Sequence, residues 1–89
     1  MKNLKPSHRE KKRYLLINGK DAEKENIKNC ILEFIGVLGY AEASPKFIGN
    51  DKIILAINHR SLDKIRTSFL MSEKDIKIKR VSGTLKGLN

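Results

Sequence analysis

The chain has 89 residues, of which 39% are hydrophobic and 33% charged, with a formal net charge of +9. That length fits one domain with a thin core, and no apolar run approaches the roughly 20 residues that span a bilayer, so no membrane association is expected. A single cysteine, Cys30, excludes an internal disulfide framework and suits a reducing compartment, so the expected setting is cytoplasmic.

The excess charge is sorted. Residues 1–13 hold Lys2, Lys5, Arg9, Lys11, Lys12 and Arg13 against Glu10 alone. Residues 74–89 hold Lys74, Lys77, Lys79, Arg80 and Lys86 against Asp75 alone, while residues 14–73 carry eight cations and eight anions. A neutral body with two cationic ends points to an extended polyanion as partner.

Residues 1–12 lack periodicity and contain Pro6, and they read as a flexible basic arm. The body is expected over 13–81, and 82–89 form a basic tail. Tyr14 to Asn18 predicts the first strand, closed by Gly19. Asp21 is placed to cap a helix, with Glu23 and Glu25 in its first turn. Ile27, Cys30, Ile31, Phe34, Ile35 and Leu38 recur at helical spacing, which predicts one apolar face ending near Gly39.

Ala43 to Ile48 predicts a short edge strand, since Pro45 cannot donate to a ladder. Gly49-Asn50-Asp51 is turn chemistry, and Lys52 to Ile57 completes a hairpin. A second helix follows, capped by Asn58 or Ser61, with Leu62, Ile65 and Phe69 on one face. From Asp75 to Val81, Ile76 and Ile78 alternate with Lys77 and Lys79, the pattern of a half-buried strand with a cationic outer face.

The element order is βαββαβ. It predicts an α+β, ferredoxin-like or RNA-recognition-motif-like sandwich, a four-stranded antiparallel sheet with two helices on one face. In that topology the first and last strands are antiparallel neighbours. Arg13 and its arm should then meet Arg80 and the tail at one end of the sheet, merging the two basic ends into one patch. The candidate RNA-binding residues are Arg9, Lys11, Lys12, Arg13, Lys77, Lys79, Arg80, Ser82, Gly83, Thr84 and Lys86. Val81 to Lys86 offers a glycine able to take positive φ, two hydroxyls, amides and a lysine, a set that can hold a phosphate without reading sequence.

Other chemistry finds little support. The third strand has no aromatic for base stacking, and Tyr14 and Phe47 both have structural readings. His8 and His59 stand apart from any ligand cluster, and Cys30 sits on the apolar stripe. No catalytic constellation is evident, and no cofactor is expected on the protein. An acylphosphatase needs a longer anion loop after the first strand than Asn18-Gly19-Lys20-Asp21. A protein-only or ligand-sensing module that associates through its sheet would explain an apolar sheet edge but not the sorted charge.

Lys5-Pro6-Ser7-His8-Arg9-Glu10-Lys11-Lys12-Arg13-Tyr14-Leu15 opening the first strand, with Val81-Ser82-Gly83-Thr84-Leu85-Lys86 closing the last, resembles archaeal ribonuclease P protein component 2. Ala43-x-Pro45-x-Phe47-Ile48 agrees as well. The resemblance implies a subunit that supports a catalytic RNA in 5′ maturation of precursor tRNA, with magnesium on the RNA. It further implies a TIM-barrel-like protein partner and self-association within the assembly. Matched by motif, Arg9, Lys11, Lys12, Arg13, Ser82, Gly83, Thr84 and Lys86 would lie at or near RNA.

Overall fold

The computed structural model describes residues 11–49 and 51–88. Its elements are β1 (Lys12–Asn18), α1 (Lys24–Ala43), β2 (Lys46–Ile48), β3 (Ile53–Asn58), α2 (Leu62–Met71) and β4 (Lys77–Ser82). Short 3-10 turns occupy His59–Ser61 and Lys86–Leu88. The strands form one antiparallel sheet in the order β2-β3-β1-β4, and the two helices pack on one of its faces. This is the βαββαβ ferredoxin-like arrangement expected from the element order.

Strand alternation decides which side chains form the core. Leu15 and Ile17 of β1 and Leu55 and Ile57 of β3 meet Ile27 and Ile31 of α1 and Ile65 and Phe69 of α2. Leu15, Ile27, Ile31, Leu55, Ile57 and Ile65 are fully buried. Each such side chain contributes on the order of 1.5–3 kcal/mol of transfer free energy. Tyr14 and Leu16, paired with Ala56 and Ile54, lie on the opposite face.

The alternation of β4 holds only as far as Ile78. Ile78 lies opposite Ile17 but Arg80 lies opposite Leu16, so Lys79 is an extra residue. This bulge lets Ile78 and Val81, three positions apart, both pack against the core.

Helix α1 departs further from expectation. Ile27, Cys30 and Ile31 are buried as the periodicity requires, but Phe34 is 44% and Leu38 83% exposed. For Leu38 the cause is Gly36, whose φ of 75° and ψ of 178° interrupt the helix after Phe34. That region of backbone space is essentially glycine's alone. Beyond it the helix resumes in a new phase, which brings Tyr40 and Ala43 to the core. The helix therefore runs past Gly39 to Ala43, and left-handed Ser44 ends it by donating its amide to the Tyr40 carbonyl at 3.0 Å. β2 is correspondingly shorter than expected, although it is an edge strand as Pro45 suggested.

Asp21 does not cap α1. The capping position is Glu23, which makes no side-chain cap bond. The Asp21 carboxylate instead accepts the Asp75 amide at 2.8 Å, and the Asp21 amide donates to the Asp75 carbonyl at 3.1 Å. The Lys20 amide adds a bond to the Asp75 carboxylate at 3.0 Å. These bonds tie the β1–α1 loop to the α2–β4 loop. Gly19 permits the approach: its φ is +129°, and a Cβ there would collide with the Asp75 carbonyl oxygen. At the second helix, the Asn58 carboxamide accepts the Arg60 amide at 3.1 Å and opens the 3-10 turn, while Ser61 makes no side-chain cap bond.

Truncation separates two residues that helical periodicity treats alike. Ile31→Ala should lower unfolding free energy by about 2–5 kcal/mol, and Leu38→Ala should change it by less than about 0.5 kcal/mol. Urea denaturation of both variants checks this; equal losses would mean that Leu38 is buried and the helix unbroken.

Candidate nucleic-acid interface

Because β1 and β4 are antiparallel neighbours, the start of one lies beside the end of the other. Tyr14 pairs with Ser82. Next to them, Arg13 reaches Gly83 so closely that a Cβ on that glycine would sit 3.5 Å from Arg13 Nη1. The guanidinium is steadied by donating from Nη1 to the Lys12 carbonyl at 3.1 Å. Lys11 is exposed, and Lys12 and Arg13 are half-buried.

A third segment joins this end. Lys12 lies opposite Asn58, and the His59 amide donates to the Lys11 carbonyl at 3.0 Å. Exposed Arg60 is thereby placed beside the first basic cluster. Arg60 was not among the sequence candidates. Its signal was present in the topology, since the end of β3 must meet the start of β1.

The tail closes upon itself. The Thr84 amide donates to Ser82 Oγ at 3.1 Å, and the Gly87 amide donates to both the Thr84 carbonyl and Oγ1 at 3.2 Å. Arg80 Nη1 donates to the Gly87 carbonyl at 3.5 Å, Leu88 is buried, and the final 3-10 turn packs against β1 and β4. Two details differ from expectation. Gly83 does not adopt a positive φ, and both hydroxyl oxygens serve the tail's own amides. Each hydroxyl keeps a proton to donate, and Lys86 is exposed.

Lys77 and Lys79 do not reach this end. Lys77 pairs with Asn18, four strand positions from Tyr14, a separation of roughly 13 Å at the usual rise per residue. Its Nζ lies 3.9 Å from Asp75 Oδ1, an exposed contact of little energetic weight. Lys79 occupies the bulge. The basic surface is therefore an end cluster of Lys11, Lys12, Arg13, Arg60, Arg80 and Lys86, continued along the β4 edge by Lys79 and Lys77. Arg9 and His8 lie outside the described residues.

The remaining functional groups are accounted for structurally. Cys30 is buried and its thiol donates to the Ser68 carbonyl at 3.1 Å. His59 Nδ1 lies 3.2 Å from the Lys11 carbonyl. Phe47 pairs with Leu55 and packs on the core, leaving Tyr14 as the aromatic on the open sheet face among the described residues. The Lys20 and Asp21 amides of the first loop are engaged by Asp75. Among the described residues no group of three or more His, Cys, Asp or Glu could hold a metal, and no helix is long and apolar enough to cross a membrane.

No protein-family model matches the sequence, and no curated protein matches it at a significant level. The chain is a small α+β domain of ferredoxin-like fold, consistent with the family that its end motifs resemble.

Two glycines, at opposite ends of the β1–β4 pair, differ in what they tolerate. Gly83→Ala should leave unfolding free energy within about 0.5 kcal/mol of the parent, because its backbone is ordinary and its neighbour is a flexible guanidinium. Gly19→Ala should lose about 2 kcal/mol or more through backbone strain and collision. Thermal or urea unfolding of the two variants distinguishes them, and a large loss at Gly83 would contradict the geometry.

Proposed function

We propose that this chain is an RNA-binding protein subunit of ribonuclease P, supporting a catalytic RNA in 5′ maturation of precursor tRNA. The observation that carries the RNA-binding part is the meeting of Arg13 with Gly83. Two sequence-remote basic segments, joined by Arg60, converge on one end of the sheet around a body of zero net charge. Exposed cations so grouped repel one another within a screening length of about 8 Å, and a polyanion relieves that repulsion with release of its counterions. The ribonuclease P part is supported by the resemblance of both end motifs.

In this reading the chemistry belongs to the RNA and its magnesium, and the protein binds no cofactor of its own. Lys11, Lys12, Arg13, Arg60 and Lys86 screen phosphates where RNA strands approach. Ser82 and Thr84 donate hydroxyl protons to phosphate oxygens, positioning the RNA without reading its bases. Arg80 holds the tail in place through the Gly87 carbonyl. The natural setting is an archaeal cytoplasmic ribonucleoprotein containing ribonuclease P RNA, precursor tRNA, a TIM-barrel-like subunit and a second copy of this chain. Exposed Val37, Leu38 and Met71 supply apolar surface for protein partners. The second reading is another basic ferredoxin-like RNA-binding or protein-interaction module without a role in tRNA processing, and the same apolar surface favours its protein-interaction form.

Replacing Lys11, Lys12 and Arg13 together with Ala should weaken RNA binding and reduce the slope of log K against log salt by up to about 3. Filter binding over a salt series measures it, and an unchanged slope would remove these residues from the interface. The ribonuclease P assignment is tested by precursor-tRNA cleavage with the cognate RNA and barrel subunit at limiting magnesium. Cleavage at the mature 5′ end should require this chain; cleavage indifferent to it would leave the second reading.

A further inference from the structure

A groove of about 780 Å³ runs between α2 and β4. β4 is an edge strand whose hydrogen-bonded neighbour is β1, so its other edge presents backbone amides and carbonyls along the groove. Phe69 and Leu70 of α2 face Ile78 and Val81 of β4 across it. One exposed leucine is ordinary on a protein surface. Here Leu70, 83% exposed, stands beside an unpaired strand edge and a shared apolar floor.

The charged side chains that line the groove have one sign, although Lys77 also lies 3.9 Å from the Asp75 carboxylate. Arg66 of α2 and Lys77, Lys79 and Arg80 of β4 line the groove, with no carboxylate in the lining. Lys77 and Arg80 are opposite Asn18 and Leu16, which places them toward the face of the sheet away from the helices. The apolar floor lies toward the helices. A strand added to β4 would therefore meet apolar surface with alternate side chains and cations with those between.

We propose that this groove binds an extended acidic segment of a partner protein, which adds to β4 as a fifth strand with alternating apolar and acidic side chains. A second copy of this chain does not suit the site, because β4 against β4 would oppose cation to cation. A nucleic acid suits it less well. The apolar floor offers nothing to a phosphodiester, and Phe69, its aromatic, is only 5% exposed and too deep to stack a base. The bulge at Lys79 interrupts the regular ladder, so it restricts the registers in which a peptide backbone can pair. The groove shares Lys77, Lys79 and Arg80 with the proposed RNA surface, but Leu70 and the apolar floor belong to the groove alone.

The test is fluorescence anisotropy of the full chain with a labelled peptide of alternating valine and glutamate. The comparator has the same composition with the two residues in separate blocks. The alternating peptide should bind at least about tenfold tighter than the block peptide at physiological salt, and the uncharged Leu70→Ser should weaken it several-fold. Leu70 is exposed, so circular dichroism should show the variant folded. Equal binding of the two peptides, or binding indifferent to Leu70→Ser, would reduce the effect to unspecific charge attraction and overturn the proposal. A single-stranded RNA whose affinity falls with Leu70→Ser while the peptide's does not would also overturn it, making the groove a nucleic-acid surface.

Discussion

The antiparallel pairing of β1 with β4 is the constraint on which the rest of this molecule depends. It carries the start of the chain's first strand to the end of its last, and so converts two basic segments far apart in sequence into neighbours. The loop bonds between Asp21 and Asp75 reinforce that pairing at the other end of the same two strands. With both ends of the pairing tied, Arg13 is held beside Gly83 by the sheet itself rather than by any attraction between cationic segments. Hydrophobic burial of Leu15 and Ile17 stabilises an arrangement that surface electrostatics opposes.

That opposition gives the basic end its meaning. A domain gains nothing in stability by gathering Lys11, Lys12, Arg13, Arg60 and Lys86, because exposed like charges destabilise the compact state slightly and recover nothing from solvent. In the proposed reading the gain comes when RNA arrives at a surface already in place, since ordering and repulsion have been met by folding. The tail follows the same logic. Its hydroxyl oxygens accept from its own amides, so the segment is shaped before any ligand, with Lys86 exposed and each hydroxyl keeping a proton to donate.

Much of this was legible in the sequence because it rests on period and punctuation. The Leu- and Ile-rich runs, the Asn58 turn and the spacing of Leu62, Ile65 and Phe69 depend on near neighbours, and the topology then follows from element order. What escaped rests on single backbone events. The apolar stripe from Ile27 to Leu38 reads as continuous, yet the conformation of Gly36 within it re-phases α1 and leaves Leu38 outside the core. The extra residue at Lys79 is invisible in an alternating pattern until its partner strand is known, and so is the pairing with Asn18 that places Lys77 away from the Arg13 end. Asp21 had the chemistry of a helix cap, but the Asp75 amide, remote in sequence, offered a competing donor. Arg60 became a site candidate only when Lys12 was found opposite Asn58.

The most direct measurement is to map, by nuclear magnetic resonance, the backbone amides of the isotopically labelled chain as a short RNA hairpin is titrated at low salt. The expected result is that the largest shifts fall on Lys11 to Arg13, Arg60 and Ser82 to Lys86, with Asn18, Asp51 and Lys77 little changed. Shifts centred on the Asn18 and Lys77 end, or on the helix face around Leu38, would contradict the claim that β1–β4 pairing assembles the RNA surface.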